Sequence, residues 1–134
     1  MKEKDILVVD DDICHQILFK ILLESGGFDV QTASDGIEAL EVLENNNFRM
    51  VITDLNMPQM NGLELAAKVR DQHPTIDVVL VTANVLSDIA EAAAGSGISQ
   101  IFSKPVNMKT FVTTIRSSLY PETYTEGSTE EFQR

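Results

Sequence analysis

The chain has 134 residues, which favours one domain around one core. Its hydrophobic content of 43% is ordinary for a globular protein, and its formal charge of −11 argues against direct binding to nucleic acid or to an anionic membrane, which need a basic face. No apolar run approaches the roughly 20 residues of a membrane span, and Met1-Lys2-Glu3-Lys4-Asp5 leads directly into a strand, so a cytoplasmic protein is expected.

Strand-like and helix-like segments alternate five times. Residues 5–9 read as a strand. A helix follows over 13–25, with Ile17, Leu18, Ile21 and Leu22 on one face and Gly26-Gly27 as its stop. Residues 28–32 make a short second strand. The next helix starts near Ser34 or Asp35, carries Ile37, Leu40, Val42 and Leu43 inward, and fades at Asn45-Asn46-Asn47. Strand three is 49–53. After a turn at 58–62, Leu63, Leu65, Ala66 and Val69 mark a helix that ends before Pro74. Asp77-Val78-Val79-Leu80-Val81 is strand four. An alanine-rich helix covers 87–94 and stops at Gly95-Ser96-Gly97, and 99–103 is strand five. A last helix sets Met108, Phe111, Val112, Ile115 and Leu119 at helical spacing. Past Tyr120-Pro121 the composition turns to Glu, Gly, Ser and Thr with little to bury, so 1–120 reads as the domain and 121–134 as a flexible acidic tail or the start of a linker.

Strands one, three and four are almost wholly apolar, as expected of parallel strands covered on both faces by helices. The expected fold is therefore α/β: a doubly wound, five-stranded parallel sheet with right-handed crossovers. Ligands of such sheets bind beyond the carboxyl ends of the strands.

The polar residues that end these strands all fall at that edge. Ile6-Leu7-Val8-Val9 ends in Asp10-Asp11-Asp12, and Met50-Val51-Ile52-Thr53 ends in Asp54, while strands four and five end near Thr82 and Lys104. Asp10, Asp11 and Asp54 would crowd three carboxylates into one volume, where like charges raise one another's pKa values. A hard divalent cation resolves that repulsion, and Mg²⁺ suits oxygen ligands beside a phosphate. Asp12, directly before a helix, reads instead as its N-cap. A carboxylate can attack phosphorus to give an acyl phosphate. Lys104 would neutralise the transferring group as a point charge, and the Thr82 hydroxyl could donate to a phosphoryl oxygen. Proline after Lys104 shapes the local backbone and admits a cis bond.

Val9-Asp10-Asp11, Asp54-Leu55-Asn56-Met57-Pro58 with Gly62, Thr82-Ala83 and Lys104-Pro105 together resemble the receiver domain of two-component response regulators, the CheY-like family. The resemblance runs over residues 5–120 with the motifs in order, and it implies the flavodoxin-like three-layer sandwich with strand order 2-1-3-4-5, for which the family is a standard example. It implies that Asp54 is phosphorylated from the phosphohistidine of a sensor histidine kinase or phosphotransfer protein. Mg²⁺ would be held by Asp10, Asp11, Asp54 and the backbone carbonyl of Asn56, and Thr82 and Lys104 would contact the phosphoryl group. Asn56 and Asn84, two residues after Asp54 and Thr82, would tune autodephosphorylation. The chain would catalyse only these reactions on itself. Its switch would reshape the 82–87 loop and the surface of the alanine-rich helix, strand five and the last helix, towards a downstream target, an output domain or a phosphorylation-dependent dimer. Family members usually carry Tyr or Phe three residues before the lysine. Here that secondary switch position, flanking the active lysine together with Pro105, is Ile101, with Phe102 facing the other side of the strand.

His15 and His73 read as surface residues at helix positions, and Cys14, the single cysteine, as a small packing residue that leaves no internal disulfide. Met57 and Met60 read as shaping the loop. Three rival classes fit less well. Haloacid-dehalogenase-like enzymes need a second acid where Asn56 stands, and a nucleotide or flavin module needs a Gly/Ser/Thr-rich loop where Asp10-Asp11-Asp12 would repel phosphate. An unphosphorylated interaction module would not need the full set Asp10, Asp11, Asp54, Thr82 and Lys104. A receiver module cut from a larger hybrid kinase or transcription factor remains the alternative within the family.

Overall fold

Residues 2–83, 91–93 and 95–121 are described by a computed structural model. Five strands, β1 (Lys2–Val9), β2 (Val30–Ala33), β3 (Asn46–Asp54), β4 (Asp77–Thr82) and β5 (Gln100–Ser103), alternate with helices α1 (Ile13–Ser25), α2 (Gly36–Asn45), α3 (Gly62–Gln72) and α4 (Met108–Leu119). The strands form one sheet in the order β2-β1-β3-β4-β5, with every pairing parallel. This is the expected doubly wound architecture.

Alternation along each strand divides the core between two faces. Ile6, Val8, Met50, Ile52, Val79 and Val81 pack with Phe19 and Leu23 of α1 and Phe111 and Ile115 of α4. Leu7, Val9, Val51 and Val78 pack with Ala39 and Leu43 of α2 and Leu65, Ala66 and Val69 of α3. A central strand is thus apolar at consecutive positions because each face has its own helical layer.

The helix starts are fixed by short polar side chains. Asp12 caps α1, accepting from the Cys14 and His15 amides, and Asp35 caps α2 through the Glu38 amide. Asn61 and Glu64 form a reciprocal capping box at α3, and Asn107 caps α4 through the Thr110 amide.

Three expectations change. The first concerns helix faces. Ile17, Leu18 and Ile21 lie exposed on α1, at 52, 54 and 62%, and the buried residues are Gln16, Phe19 and Leu23; of the expected face only Leu22 packs against the core. Ile37 and Met108, each in the first turn of its helix, are also exposed, whereas Leu43, Phe111, Ile115 and Leu119 face inward as expected. α1 is apolar on more than one side, so periodicity alone could not choose the inner stripe. The second concerns strand length. β1 begins at Lys2 because Lys2, Glu3 and Lys4 pair with Asn46, Asn47 and Phe48, which lengthens β3 through the asparagines expected to end a helix. Third, β2 starts at Val30, while Phe28 precedes it as a buried side chain. The expected helix over 87–94 falls mostly outside the described residues, within which 91–93 are helical; the 84–87 part of the switch loop and residues 122–134 of the expected tail also fall outside them.

Candidate functional site

Register brings the expected residues to one edge. Val9 of β1 lies beside Thr53 of β3, so the chain delivers Asp10 and Asp54 from neighbouring strands. Asp54 in turn lies opposite Val81, and Thr82 opposite Ser103, which sets Thr82 and Lys104 on the other side of Asp54. The Lys104 amide donates to the Thr82 carbonyl at 2.9 Å, closing that corner. One carboxylate oxygen from each of Asp10, Asp11 and Asp54 lies within 4.8 Å of the others. Asp10 is buried, Asp54 half-buried and Asp11 exposed, so the cluster opens to solvent on one side.

The Lys104 ammonium sits between the two inner acids, 3.5 Å from Asp10 Oδ2 and 3.5 Å from Asp54 Oδ1. The two inner carboxylates therefore share the Lys104 ammonium, and Asp11 adds a third negative charge to the cluster. Burial is the main cause that raises the Asp54 carboxyl above its ordinary range, the charge of Asp10 adds to it, and Lys104 and the Leu55 amide oppose it. This donor set fits a divalent cation: oxygen ligands of excess negative charge, with an open side that leaves room for water.

The backbone around the acids is held tightly. The Asp10 Oδ1 atom accepts from the Asp12 amide at 2.9 Å, and the Asp10 carbonyl accepts from Gln16 Nε2 at 2.7 Å. Gln16 Nε2 also lies 3.2 Å from Ser34 Oγ, tying α1 to the end of β2. After Asp54, whose Oδ1 accepts from the Leu55 amide at 2.8 Å, the loop runs through exposed Asn56 and turns at Gln59, which adopts a positive φ of 70°. Gly62 then returns, its amide donating to the Leu55 carbonyl at 2.8 Å. Met57 and Met60 pack against the core as loop-shaping residues, and Met60 lies over Gly36, where any Cβ would meet its Sδ at 2.7 Å.

A family model for the response regulator receiver domain matches residues 6–116. The chain belongs to the response regulator receiver domain family. The receiver is similar to the sensor histidine kinase RcsC of Escherichia coli strain K12, 38% identical over 87% of this chain; it spans 12% of the length of that relative. Among solved structures it resembles a response regulator receiver domain protein from Clostridium thermocellum, with a TM-score of 0.81 and 29% identity, covering 90% of this chain and 97% of that one. It shares the fold of the receiver domain of the sensor histidine kinase PA1611 from Pseudomonas aeruginosa, which has a magnesium ion coordinated in its active site cleft; there the TM-score is 0.76 and the identity 23%, over 85% of this chain and 95% of that one.

Other expected site residues of the receiver take these places. Ile101 is on β5 opposite Leu80 and packs towards Leu80 and Leu55, while Phe102 turns to the other face and meets Phe111 edge-on at 4.8 Å. The Lys104-Pro105 bond is cis. Asn84 lies outside the described residues. Among the described residues no helix is long and apolar enough to cross a membrane.

Two receiver residues join the site that the sequence reading left out of it, and one leaves its expected place. His15, expected at the surface, is half-exposed yet brings Nδ1 to 3.3 Å from both Asp10 Oδ2 and Lys104 Nζ. Gln16 is a buried polar side chain holding the Asp10 carbonyl. The signal for both was available. They sit one turn after the Asp12 cap, where helical side chains lean back towards the N-terminus and hence towards the strand end. Cys14 is exposed on α1 instead of packed, because the same turn that directs its neighbours inward carries it to the outside. His73 caps the end of α3, with a buried Nε2 that has no partner among the described residues.

Proposed function

We propose that the chain is a phosphorylation-dependent signalling switch that accepts a phosphoryl group on Asp54. The observation that supports this most is the convergence of Asp10, Asp11 and Asp54 on one another with Lys104 between the inner two. In the reaction, an Asp54 carboxylate oxygen attacks phosphorus while the bond from phosphorus to the donor's imidazole nitrogen breaks. The imidazole leaves with a proton and an acyl phosphate remains. Bound Mg²⁺ would neutralise phosphoryl oxygens, held by Asp10, Asp11, Asp54 and the Asn56 backbone carbonyl. Lys104 balances charge on the opposite side, and Thr82, at the end of β4, offers its hydroxyl.

The phosphoryl donor is a sensor histidine kinase or a phosphotransfer protein. An apolar groove of about 480 Å³ that His15 and Lys104 help to line, with Leu18, Leu22, Pro105 and Met108, suits a protein donor that must carry its histidine to Asp54. Phosphorylation pulls Thr82 and Lys104 and reaches the partner-facing surface through β5 and α4, with Ile101 and Pro105 as secondary switch positions. Asn56 and Asn84 tune hydrolysis of the acyl phosphate, and autophosphorylation and autodephosphorylation are the only reactions the chain catalyses. Residues 1–120 act as the receiver module, and 121–134 as an acidic tail or the start of a linker. The 12% share of RcsC that the chain spans favours a second reading within the first, a receiver module of a larger sensor kinase.

Acetyl phosphate with Mg²⁺ should add one phosphoryl group, read by intact mass. Equal labelling of Asp54→Asn overturns the assignment. Asp11→Ala should abolish Mg²⁺ binding in titration calorimetry, and an unchanged affinity would refute the metal site.

A further inference from the structure

We propose that His15 is a positioning residue for Lys104, a role that rests on the reading of Asp54 above. The Asp12 cap accepts from the Cys14 amide at 2.8 Å and from the His15 amide at 3.4 Å, fixing the first turn of α1 so that the His15 ring folds over the strand end. Its Nδ1 then lies 3.3 Å from the Lys104 ammonium, and its Nε2 3.8 Å from Asp12 Oδ2. The ring is 42% exposed and so stands at the mouth of the site, above a lysine that is only 18% exposed.

An ammonium has three N–H donors and no acceptor. Around the Lys104 ammonium stand two carboxylate acceptors, Asp10 Oδ2 and Asp54 Oδ1, and a ring nitrogen that can serve as a third, His15 Nδ1. Nδ1 lies equally close to Asp10 Oδ2, at 3.3 Å, and to accept from Lys104 it must turn its lone pair to the ammonium, so the role requires the neutral tautomer with its proton on Nε2, on the side of Asp12. The two carboxylates are the groups that phosphorylation takes up, Asp10 by the cation and Asp54 by the phosphoryl group. His15 Nδ1 is the one acceptor of the three that the reaction leaves in place. A lysine side chain is a flexible four-carbon stem with several rotatable bonds. Held by His15, it keeps its charge beside the incoming phosphoryl group instead of turning to solvent as its carboxylate partners are engaged.

A ring that merely offsets the charge of Asp10 would act whether or not Lys104 is present, so a double-mutant cycle separates the two roles. The rate of phosphorylation is measured with acetyl phosphate at saturating Mg²⁺, a donor small enough to bypass any protein docking on α1. His15→Ala should slow it about tenfold, within the range of coupling between residues in contact. In the Lys104→Ala background the same change should have no further effect. His15→Asn should restore the rate to within about twofold, because the asparagine amide oxygen stands the same number of bonds from the backbone as Nδ1. In the resting protein without metal, the ¹⁵Nζ resonance of Lys104 should move in His15→Ala and return in His15→Asn, a readout that does not depend on turnover. An equal effect of His15→Ala with and without Lys104, or an unmoved Lys104 resonance, overturns the proposal. If Lys104→Ala alone leaves phosphorylation unchanged, the fault lies in the reading of the site itself.

Discussion

Adding a single methyl group at Gly62 sets two physical effects against each other at the candidate phosphorylation site. Gly62 is the first residue of α3, and among the described residues the glycines with positive φ are Gly27 and Gly97, so alanine could adopt the Gly62 backbone without strain. By propensity alone Gly62→Ala should stabilise the helix by up to about 1 kcal/mol. Packing says the reverse. A Cβ at Gly62 would stand 2.3 Å from the Asp54 carbonyl oxygen, 3.1 Å from its carbon and 2.8 Å from Leu80 Cδ1. Ordinary contact needs about 1 Å more, and a backbone carbonyl in a central strand cannot rotate aside as a side-chain tip would. Overpacking costs about 1–3 kcal/mol, and a backbone neighbour puts this site at the upper end. Setting about 3 kcal/mol against a gain of about 1 leaves a loss of about 2 kcal/mol, or roughly 6–10 °C in Tm for a domain of this size. Urea denaturation with an unchanged m-value should show the loss. Because the displaced atoms belong to Asp54, Mg²⁺ affinity should fall in the same variant. A Gly62→Ala protein as stable as the parent, or more so, would refute the argument that close approach of α3 to the Asp54 backbone is what demands glycine.

Leu23→Ala should cost about 2–5 kcal/mol because Leu23 is fully buried under α1, whereas Ile21→Ala on the exposed stripe should stay within about 0.5 kcal/mol; equal losses in chemical denaturation would mean that α1 is rotated. Gln16→Leu removes the donor that serves the Asp10 carbonyl, and the stranded acceptor should cost about 1–3 kcal/mol in the same assay; no change would discount that bond. In metal-free protein, burial holds the Asp54 carboxyl above its ordinary value of 3.8. Between 3.8 and that raised value the native state binds more protons than the unfolded chain, so this group lowers stability as pH rises through the window, and its penalty is constant above it. Asp54→Asn should therefore raise the Tm at pH 7 in the presence of a chelator, with the advantage fading as pH falls through that window and absent below the unfolded value. A lower Tm at neutral pH would contradict the desolvation argument.

The sequence by itself determined the alternation of strands and helices, the apolar cores of β1, β3 and β4, and the acids, hydroxyl and lysine at their ends, because each is a local pattern: a run, a period or a stop. Asp12 as a cap and Phe102 as facing away from Ile101 were equally local, one following from a helix start and the other from the two-residue repeat of a strand. Which stripe of α1 turns inward was not local. Ile17 and Ile21 are as apolar as Phe19 and Leu23, and only the direction in which the chain leaves β1, with the helix rotated by its cap, selects the inner set. The same rotation decided that Gln16 is buried, that Cys14 is exposed and that His15 reaches Lys104, 89 positions further along the chain. Contacts of that separation follow from how the sheet stacks its strands and how the helices lie against it, and no window of sequence contains both partners.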